Sequence, residues 1–254
     1  MLGTLMRFLP IVTQVFLWLA VFQATGGTGG TIAGYSFRQF VSYYLLTMVS
    51  RAFSSMPGLS SGLAEQIRDG DIKKYLVQPV DPLEFLLLGR ISHKLAYYVV
   101  AFIPFALVFW WCSEYFDGWP DAITFMAFLA SLVMSFLLGF FMEACLGLMG
   151  FWFGEVSSLV FVYMLVNFFL SGHMFPIDML AFPIGGLGIT WADIVRSLPF
   201  QYLAYFPSAV FLGKLQGEAL AFGLLMQFTW TLAFIGLARM MWHYGVRQYS
   251  AYGG

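Results

Sequence analysis

The sequence predicts an all-α membrane protein, and its composition, its apolar stretches and the distribution of its cations each indicate this class. Hydrophobic residues make up 60% of the 254 residues, and charged residues only 10%. A soluble domain carries about 25% charged residues, so an apolar surface of this extent must face lipid. The formal net charge of -1 does not indicate the basic surface that nucleic-acid binding requires, and no nucleic-acid partner is expected.

Six apolar stretches predict six transmembrane helices in a single domain over residues 1–254. A spanning helix needs about 20 mostly apolar residues, and a helix satisfies its own backbone hydrogen bonds in lipid. The predicted spans are residues 9–24, 37–53, 95–111, 122–153, 159–170 and 219–242. The fourth exceeds one membrane thickness and is expected to tilt or to extend beyond the bilayer, whereas the fifth is short.

The positions of lysine and arginine predict that both termini lie in the cytoplasm. Cytoplasmic segments are enriched in these residues, and nine of the twelve fall on the inner side when the N-terminus is inside. The inner cations are Arg7, Arg51, Arg68, Lys73, Lys74, Arg90, Lys94, Arg239 and Arg247. The outer ones are Arg38, Arg196 and Lys214.

The inner connection over residues 58–94 has the pattern of an amphipathic helix. Leu59, Leu63 and Ile67 recur at intervals of four and form a narrow apolar stripe. Asp69-Gly70 supplies a stop signal. A second helix is predicted to begin at Asp81-Pro82, with Glu84 reaching back in a capping box, and to run along the inner surface before entering the membrane. Two interpretations stay open: an ordinary surface helix, or an element that transmits force from a soluble motor.

The outer connection over residues 171–218 is apolar and rich in proline. Prolines at this spacing interrupt any single spanning helix, so we expect short helices that dip into the outer leaflet and pack against their neighbours. The motifs are Phe175-Pro176, Phe182-Pro183, Pro199-Phe200 and Phe206-Pro207.

Glu143 is the only carboxylate deep inside a predicted span, and such a residue is a functional candidate because its burial is costly. It belongs to a stripe of residues spaced by four, and the small side chains of this stripe allow another helix to approach closely. The stripe is Ser131, Ser135, Gly139, Glu143 and Gly147. Glu143 either stabilises a tight helix contact, which could be a subunit interface, or lines a path and contacts substrate or a proton.

No metal site or catalytic centre is expected. His93 and His243 lie at the predicted inner end of the membrane and His173 near the outer end, and Cys112 and Cys145 sit singly in apolar runs. An intramembrane enzyme needs converging groups at one depth, and these are scattered.

At the inner connection the sequence resembles the ABC-2 type permease superfamily, in particular its short six-span subunits. The resemblance covers nearly the whole chain. It lies in Glu65-Gln66-Ile67-Arg68-Asp69-Gly70-Asp71-Ile72 followed by Leu76-Val77-Gln78-Pro79-Val80, in Leu170-Ser171-Gly172-His173-Met174-Phe175-Pro176, in Leu198-Pro199-Phe200 and Pro207-Ser208-Ala209, and in the ending from Gly245 to Gly254.

The resemblance implies a permease of an exporter in a bacterial cytoplasmic membrane, paired with a second permease chain, identical or related, and surrounded by membrane lipid. Soluble ATPase subunits would dock on a coupling segment, with Gly62, Glu65, Arg68, Asp69, Gly70 and Asp71 as its contact residues. An outer gate would contain Phe175, Pro176, Pro199, Phe200 and Pro207. The sequence has no Gly-x-x-x-x-Gly-Lys-[Ser/Thr] phosphate loop, so ATP and Mg²⁺ are expected on the partner and no cofactor on this chain.

A secondary transporter that uses Glu143 is the alternative function. Such transporters are commonly built from internal repeats with broken spans in matching positions, and no repeat is visible here.

Overall fold

The computed structural model describes residues 9–24, 30–116, 118–185 and 188–249, and most of them are helical. The α-helices are α1 (Leu9–Ala24), α2 (Phe37–Ser54), α3 (Leu59–Arg68), α4 (Lys73–Leu76), α5 (Pro82–Trp111), α6 (Ala122–Leu148), α7 (Gly150–Phe153), α8 (Ser157–Leu170), α9 (Trp191–Ser197), α10 (Tyr205–Phe211) and α11 (Gly217–Tyr249). Short 3₁₀ helices cover Ser113–Tyr115, Ile177–Leu180 and Pro199–Leu203. Arg7 and residues 250–254 of the matched ending lie outside the described residues.

One small hairpin departs from the all-α prediction. Strands β1 (Thr31–Ile32) and β2 (Tyr35–Ser36) pair antiparallel just before α2. Ala33 and Gly34 both have positive φ in the turn between them, which is the backbone that a tight two-residue hairpin requires. Ser36 then caps α2 in a capping box with Gln39, so the hairpin fixes the direction in which α2 begins.

Helices cover all six apolar stretches, but they differ in their suitability as spans. Among the described residues, three helical segments are long and apolar enough to cross a membrane: Pro82–Trp111, Ala122–Phe153 and Gly217–Tyr249. Thr13–Ala24 and Ser157–Leu170 are shorter apolar helices, and α2 carries buried Ser42, Thr47 and Ser50. The number six therefore stays a prediction.

Helix α6 is the centre of the packing. In the most apolar 18 residues of the α6–α7 segment, half are buried within the chain, against 6% in the corresponding stretch of α5 and 11% in that of α11. Helix α6 contacts α11, α3, α2 and α10, and Phe140 and Leu148 on it are fully buried. The large exposed apolar faces of α5 and α11 are suited to lipid, whereas α6 packs against both the inner and the outer parts of the chain.

The helix predicted from Asp81 is α5, and its beginning differs in one detail. The Asp81 side chain accepts from the Glu84 amide at 3.0 Å, and Pro82 occupies the first turn. The Glu84 carboxylate, however, accepts from Arg239 of α11 at 2.7 Å, and no reciprocal bond forms. The predicted capping box is wrong because an ion pair with α11 engages the carboxylate.

Candidate functional site

Helix α3, in the inner connection, has one buried face and one exposed face. Leu59, Leu63 and Ile67 are buried in an apolar cluster with Phe140, Phe141 and Leu148 of α6. The helix ends at Arg68, and Gly70 follows with a φ of 86°, as its stop signal predicted. The polar side chains Glu65, Arg68, Asp69 and Asp71 are exposed.

Two glycines let α3 lie unusually close to the inner end of the α6–α7 segment. A Cβ on Gly147 would lie 2.9 Å from both the Leu63 Cβ and the Ser60 carbonyl oxygen. A Cβ on Gly150 would lie 3.2 Å from the Ala64 Cα. Because packed interiors deform little, a displacement of α3 must displace α6 as well.

The exposed face of α3 contains one internal ion pair. Arg68 Nε donates to Asp69 Oδ1 at 3.0 Å, and about half of each side chain is exposed. Such a pair contributes little to folding. Gly62 is half-buried on the same helix, and no atom lies within 4 Å of a Cβ built on it. The predicted coupling residues therefore share one end of the molecule, with their charges free to contact another protein.

Glu143 joins α6 to the beginning of α3. Its Oε1 accepts from the Met56 amide at 3.3 Å, and the Ser60 amide is close enough to favour the charged carboxylate. Both amides belong to the approach and first turn of α3, where a helix leaves N–H groups unpaired and where negative charge is favourable. The Gly58 N-cap has no side-chain hydrogen bond of its own, so Glu143 supplies acceptors from another helix.

The small-residue stripe on α6 has two different neighbours. In its outer half, Ser131 and Ser135 bind Gln227 of α11, whose Nε2 lies 2.9 Å from the Ser131 carbonyl oxygen and 3.1 Å from the Ser135 hydroxyl. In its inner half, a Cβ on Gly139 would lie 2.1 Å from the Ser54 carbonyl oxygen. The described stripe thus packs within this chain.

Lys94 and Tyr98 of α5 bind the carboxyl end of α2. Lys94 Nζ donates to the carbonyl oxygens of Ala52, Phe53 and Ser55 at 2.5, 2.7 and 2.8 Å, and Tyr98 donates to Ala52 at 2.9 Å. A cation is favourable where a helix leaves carbonyls unpaired. The sequence identified Lys94 only as an inner-side cation, since the carbonyls it binds lie about 40 residues away.

The outer connection is organised around the Asp178 carboxylate. The hydroxyl of Tyr35 donates to it at 2.6 Å, and that of Tyr205 donates at 2.8 Å. Arg196 of α9 forms an ion pair with the same carboxylate. Burial, together with nearby Tyr205 and Asp178, raises the pKa of Tyr35 well above its usual range, so its hydroxyl stays a donor. Nothing in the sequence distinguished Asp178 from other outer carboxylates.

Of the five predicted outer-gate residues, Phe175 and Phe200 pack against two different apolar clusters. Phe175 packs against the cluster that contains Trp18, Tyr43 and Tyr205, and Pro176 is buried beside it. Pro199 begins a buried 3₁₀ turn. The ring of Phe200 is tilted against that of Tyr163 of α8, with ring centroids 6.2 Å apart.

The proline of the last motif, Pro207, is buried within α10. Its neighbour Phe206 fills the space over Gly223 of α11, where a Cβ would lie 2.2 Å from its ring. The short helices of the outer connection are therefore packed against α2, α6 and α11, as expected from the broken proline pattern.

The family model described as ABC-2 family transporter protein matches residues 8–253, which is nearly the whole chain. The chain belongs to the ABC-2 transporter family. Membership agrees with the apolar helices and identifies a membrane protein of the permease type. No curated protein and no solved structure matches the chain.

Family membership implies a partner protein for the membrane subunit. An ABC-2 membrane subunit associates with ABC ATPase subunits, and α3 is the part of the inner connection that combines an exposed charged face with tight packing on α6. Within the described ranges, no three of the His, Cys, Asp and Glu side chains come together as metal ligands.

A contact between His173 and Arg51 corrects the predicted positions of these two residues in the membrane. His173 was expected near the outer end of the membrane and Arg51 near the inner end, yet Arg51 Nη1 lies 2.6 Å from His173 Nε2. The two cannot lie at opposite surfaces. Helix α8 has only 14 residues, a rise of about 21 Å, so the turn that follows it lies beside α2 rather than beyond its outer end.

Proposed function

We propose that this chain is the permease subunit of an ATP-driven exporter in a bacterial cytoplasmic membrane, with both termini in the cytoplasm. Two permease chains would form the translocation path, and separate ATPase subunits would bind ATP and Mg²⁺. The observation that carries the proposal is the two-sided character of α3. Its apolar side is wedged against α6 by Gly147 and Gly150, while Glu65, Arg68 and Asp69 face outward from the same helix.

Force from the ATPase would travel by direct contact. A push on the exposed side of α3 reaches α6 through the Gly147 contact, and the hydrogen bond from Met56 to Glu143 attaches the beginning of α3 to the same helix. Helix α6 in turn packs against α10 and α11. The outer connection, with Phe175 and Pro207, would then open as the gate.

Glu143 has a structural role in this proposal. Its carboxylate accepts the Met56 amide of the α2–α3 connection, an arrangement that positions α3 and does not need a transported proton. A secondary transporter using Glu143 would instead require the carboxylate to exchange its partners during transport. Glu143→Gln keeps an acceptor and is therefore expected to preserve ATPase binding, whereas a proton-coupled carrier would lose transport.

The decisive experiment is co-purification of the chain with its ATPase from the native host in mild detergent. Arg68→Ala and Asp69→Ala are expected to reduce the recovered ATPase about ten-fold or more, because truncating one member of a charged interface contact is costly. Glu218→Gln is the matched control: it removes an exposed charge at the opposite end of the chain and should leave recovery unchanged.

The thermal midpoint of each purified variant separates coupling from folding. Because Arg68 and Asp69 are exposed, we expect the midpoints of both variants to equal that of the unsubstituted chain. Full ATPase recovery with both variants would refute the coupling assignment. A chain that carries no ATPase under conditions that preserve such complexes would contradict the ATP-driven function itself.

A further inference from the structure

An arginine–histidine pair lies at the turn after α8, on a part of the chain that the coupling and gate residues do not use. Arg51 Nη1 and His173 Nε2 are 2.6 Å apart. Arg51 lies one turn before the end of α2, and its side chain is exposed on the chain. His173 packs its ring edge-on against Phe168 of α8. The pair therefore combines an accessible guanidinium with a fixed imidazole.

The pair offers hydrogen-bond donors that have no acceptor within the described part of the chain. Arg51 carries five N–H groups, and no described carboxylate forms an ion pair with it. When His173 Nε2 accepts from Arg51, the proton of the neutral ring is on Nδ1. That nitrogen is buried and has no hydrogen-bond partner. Arg51 thus presents positive charge that no described carboxylate neutralises, and neutral His173 fixes one of its N–H groups.

The backbone around the pair is held in place by α1 and α2. The Tyr43 hydroxyl donates to the Gly172 carbonyl, and the Tyr44 hydroxyl donates to the Met174 carbonyl at 2.6 Å. Gln14 of α1 donates to the same Met174 oxygen at 2.9 Å. These bonds hold the backbone on both sides of His173 in place, so the position of the pair is preformed.

The surface beside the pair is apolar and uncovered. No residue of α8 is buried, and Phe161, Phe168 and Phe169 are among its exposed side chains. Phe16 and Leu17 of α1 are also exposed. An uncompensated charge beside such a surface is costly in a membrane, and it becomes favourable when an anion occupies it.

We propose that Arg51 and His173 form a binding site for the acidic group of an amphiphilic substrate, with a phosphate or carboxylate as the group bound. The planar guanidinium of Arg51 binds two anion oxygens, His173 Nε2 orients that guanidinium by accepting from Nη1, and the apolar surfaces of α8 and α1 accommodate the hydrocarbon part. This assignment deepens the proposed function and rests on it for the direction in which the substrate moves.

The test is a binding experiment on the purified chain in digitonin micelles, whose neutral headgroups carry neither phosphate nor carboxylate. Dodecyl phosphate is the probe, inorganic phosphate reports whether a free anion suffices, and dodecylamine and dodecyl maltoside are the cationic and neutral comparisons. Binding is followed by the ¹⁵N resonances of the imidazole of His173, assigned with His173→Gln. We expect saturable binding of dodecyl phosphate with a displacement of the Nε2 resonance, because Nε2 is the nitrogen that contacts Arg51, and no displacement with the two comparison detergents.

Variants of Arg51 separate the site from folding. Arg51→Gln should weaken dodecyl phosphate binding about ten-fold or more, because it removes a charge-assisted bidentate contact. Arg51→Lys should weaken it less, since it keeps the charge without the planar fork. Arg38→Gln is the matched control at the other end of α2, where the guanidinium donates to the Glu114 carbonyl, and it should bind as the unsubstituted chain does.

Three results would overturn the proposal. The first is equal binding by Arg51→Gln and the unsubstituted chain, and the second is displacement of the His173 resonances by dodecylamine as readily as by dodecyl phosphate. The third is conversion of a dimer into monomers by Arg51→Gln with no change in probe binding, which would assign the acceptor to a second permease chain. None of these results depends on ATPase recovery, so the ATP-coupled function stands or falls separately.

Discussion

The inner and outer parts of the chain are both closely packed, but the contacts that join their segments differ. At the inner side, α3 is attached to α6 by close packing of apolar side chains over Gly147 and Gly150. At the outer side, Asp178 holds three separate segments through Tyr35, Tyr205 and Arg196. Packed apolar contacts resist every displacement because they cannot be replaced by water, whereas hydrogen bonds can be exchanged one at a time.

This difference suits an inner part that transmits motion and an outer part that opens. Substitutions in the inner region should act on the whole molecule, and substitutions in the outer region should loosen only the segments that share the broken bond. The following changes test that contrast, beginning with the largest expected effect.

Gly139→Ala should destabilise the entire chain. The added Cβ would lie 2.1 Å from the Ser54 carbonyl oxygen, and neither backbone can yield without separating α2 from α6. Overpacking of this kind costs about 3 kcal/mol, at the upper end of the usual range. The thermal midpoint in detergent, followed by size-exclusion chromatography, should fall sharply.

Gly89→Ala is the control for this change, because no atom lies within 4 Å of a Cβ at Gly89 in the interior of α5. Alanine is also the better helix former, so this variant should be as stable as the parent chain or more so. Equal midpoints for the two variants would mean that α2 and α6 are not in tight contact.

Asp178→Asn should loosen the outer connection while leaving α3 in place. The amide keeps one acceptor oxygen but loses the charge that Arg196 pairs with, and removing a charged hydrogen-bond partner costs about 2 kcal/mol. Hydrogen exchange should accelerate over residues 177–205 and stay unchanged over α3.

Asp193→Asn serves as the comparison for this variant, since Asp193 is an exposed partner of Arg196 and lies 3.9 Å from it. Its effect should be confined to α9. Faster exchange throughout the inner half with Asp178→Asn would contradict the division of the molecule into two separately stabilised parts.

Thr190→Val should have the smallest effect, limited to the beginning of α9. Thr190 caps that helix in a capping box with Asp193, and the loss of a cap costs about 1 kcal/mol. Hydrogen exchange at the first turn of α9 should rise, and Ser197→Ala at the other end of the helix should leave it unchanged.

The same cap predicts a pH dependence. Hydrogen bonds from Thr190 lower the pKa of the Asp193 carboxyl below its ordinary value. The contribution of the cap is therefore complete above the ordinary aspartate pKa and is lost as the pH falls through the lowered one. Protection from exchange at α9, corrected for the intrinsic pH dependence of exchange, should fall only in acid. Thr190→Val should reduce that fall, since it removes the hydroxyl donor and keeps the backbone amide that also donates to Asp193.

Much of the local structure followed from local pattern. The spacing of Leu59, Leu63 and Ile67 predicted α3, and Asp69-Gly70 predicted its end. Asp81-Pro82 predicted the start of α5. These signals lie within a few residues of the structure that they specify, because caps and amphipathic stripes act over one or two turns of a helix.

The contacts that combine these helices were not readable in the same way. Glu143 was identified as a buried carboxylate, but its partner Met56 lies 87 residues away. Arg51 and His173 were predicted at opposite ends of the membrane and are in contact. The sequence gives no distance between such residues, since their approach depends on how α6 and α8 pack and on the length of α8.

The sequence by itself determined the membrane class, the positions of the apolar helices and the amphipathic nature of α3, because each depends on composition or on short-range periodicity, and its motifs carry the resemblance to the family. Tertiary structure alone decided which face of α6 receives α3, that Asp178 gathers the outer segments, and that Arg51 meets His173 beside an open apolar surface. Those features depend on side chains far apart in the chain, whose meeting is selected by close packing and by the need of buried polar groups for partners.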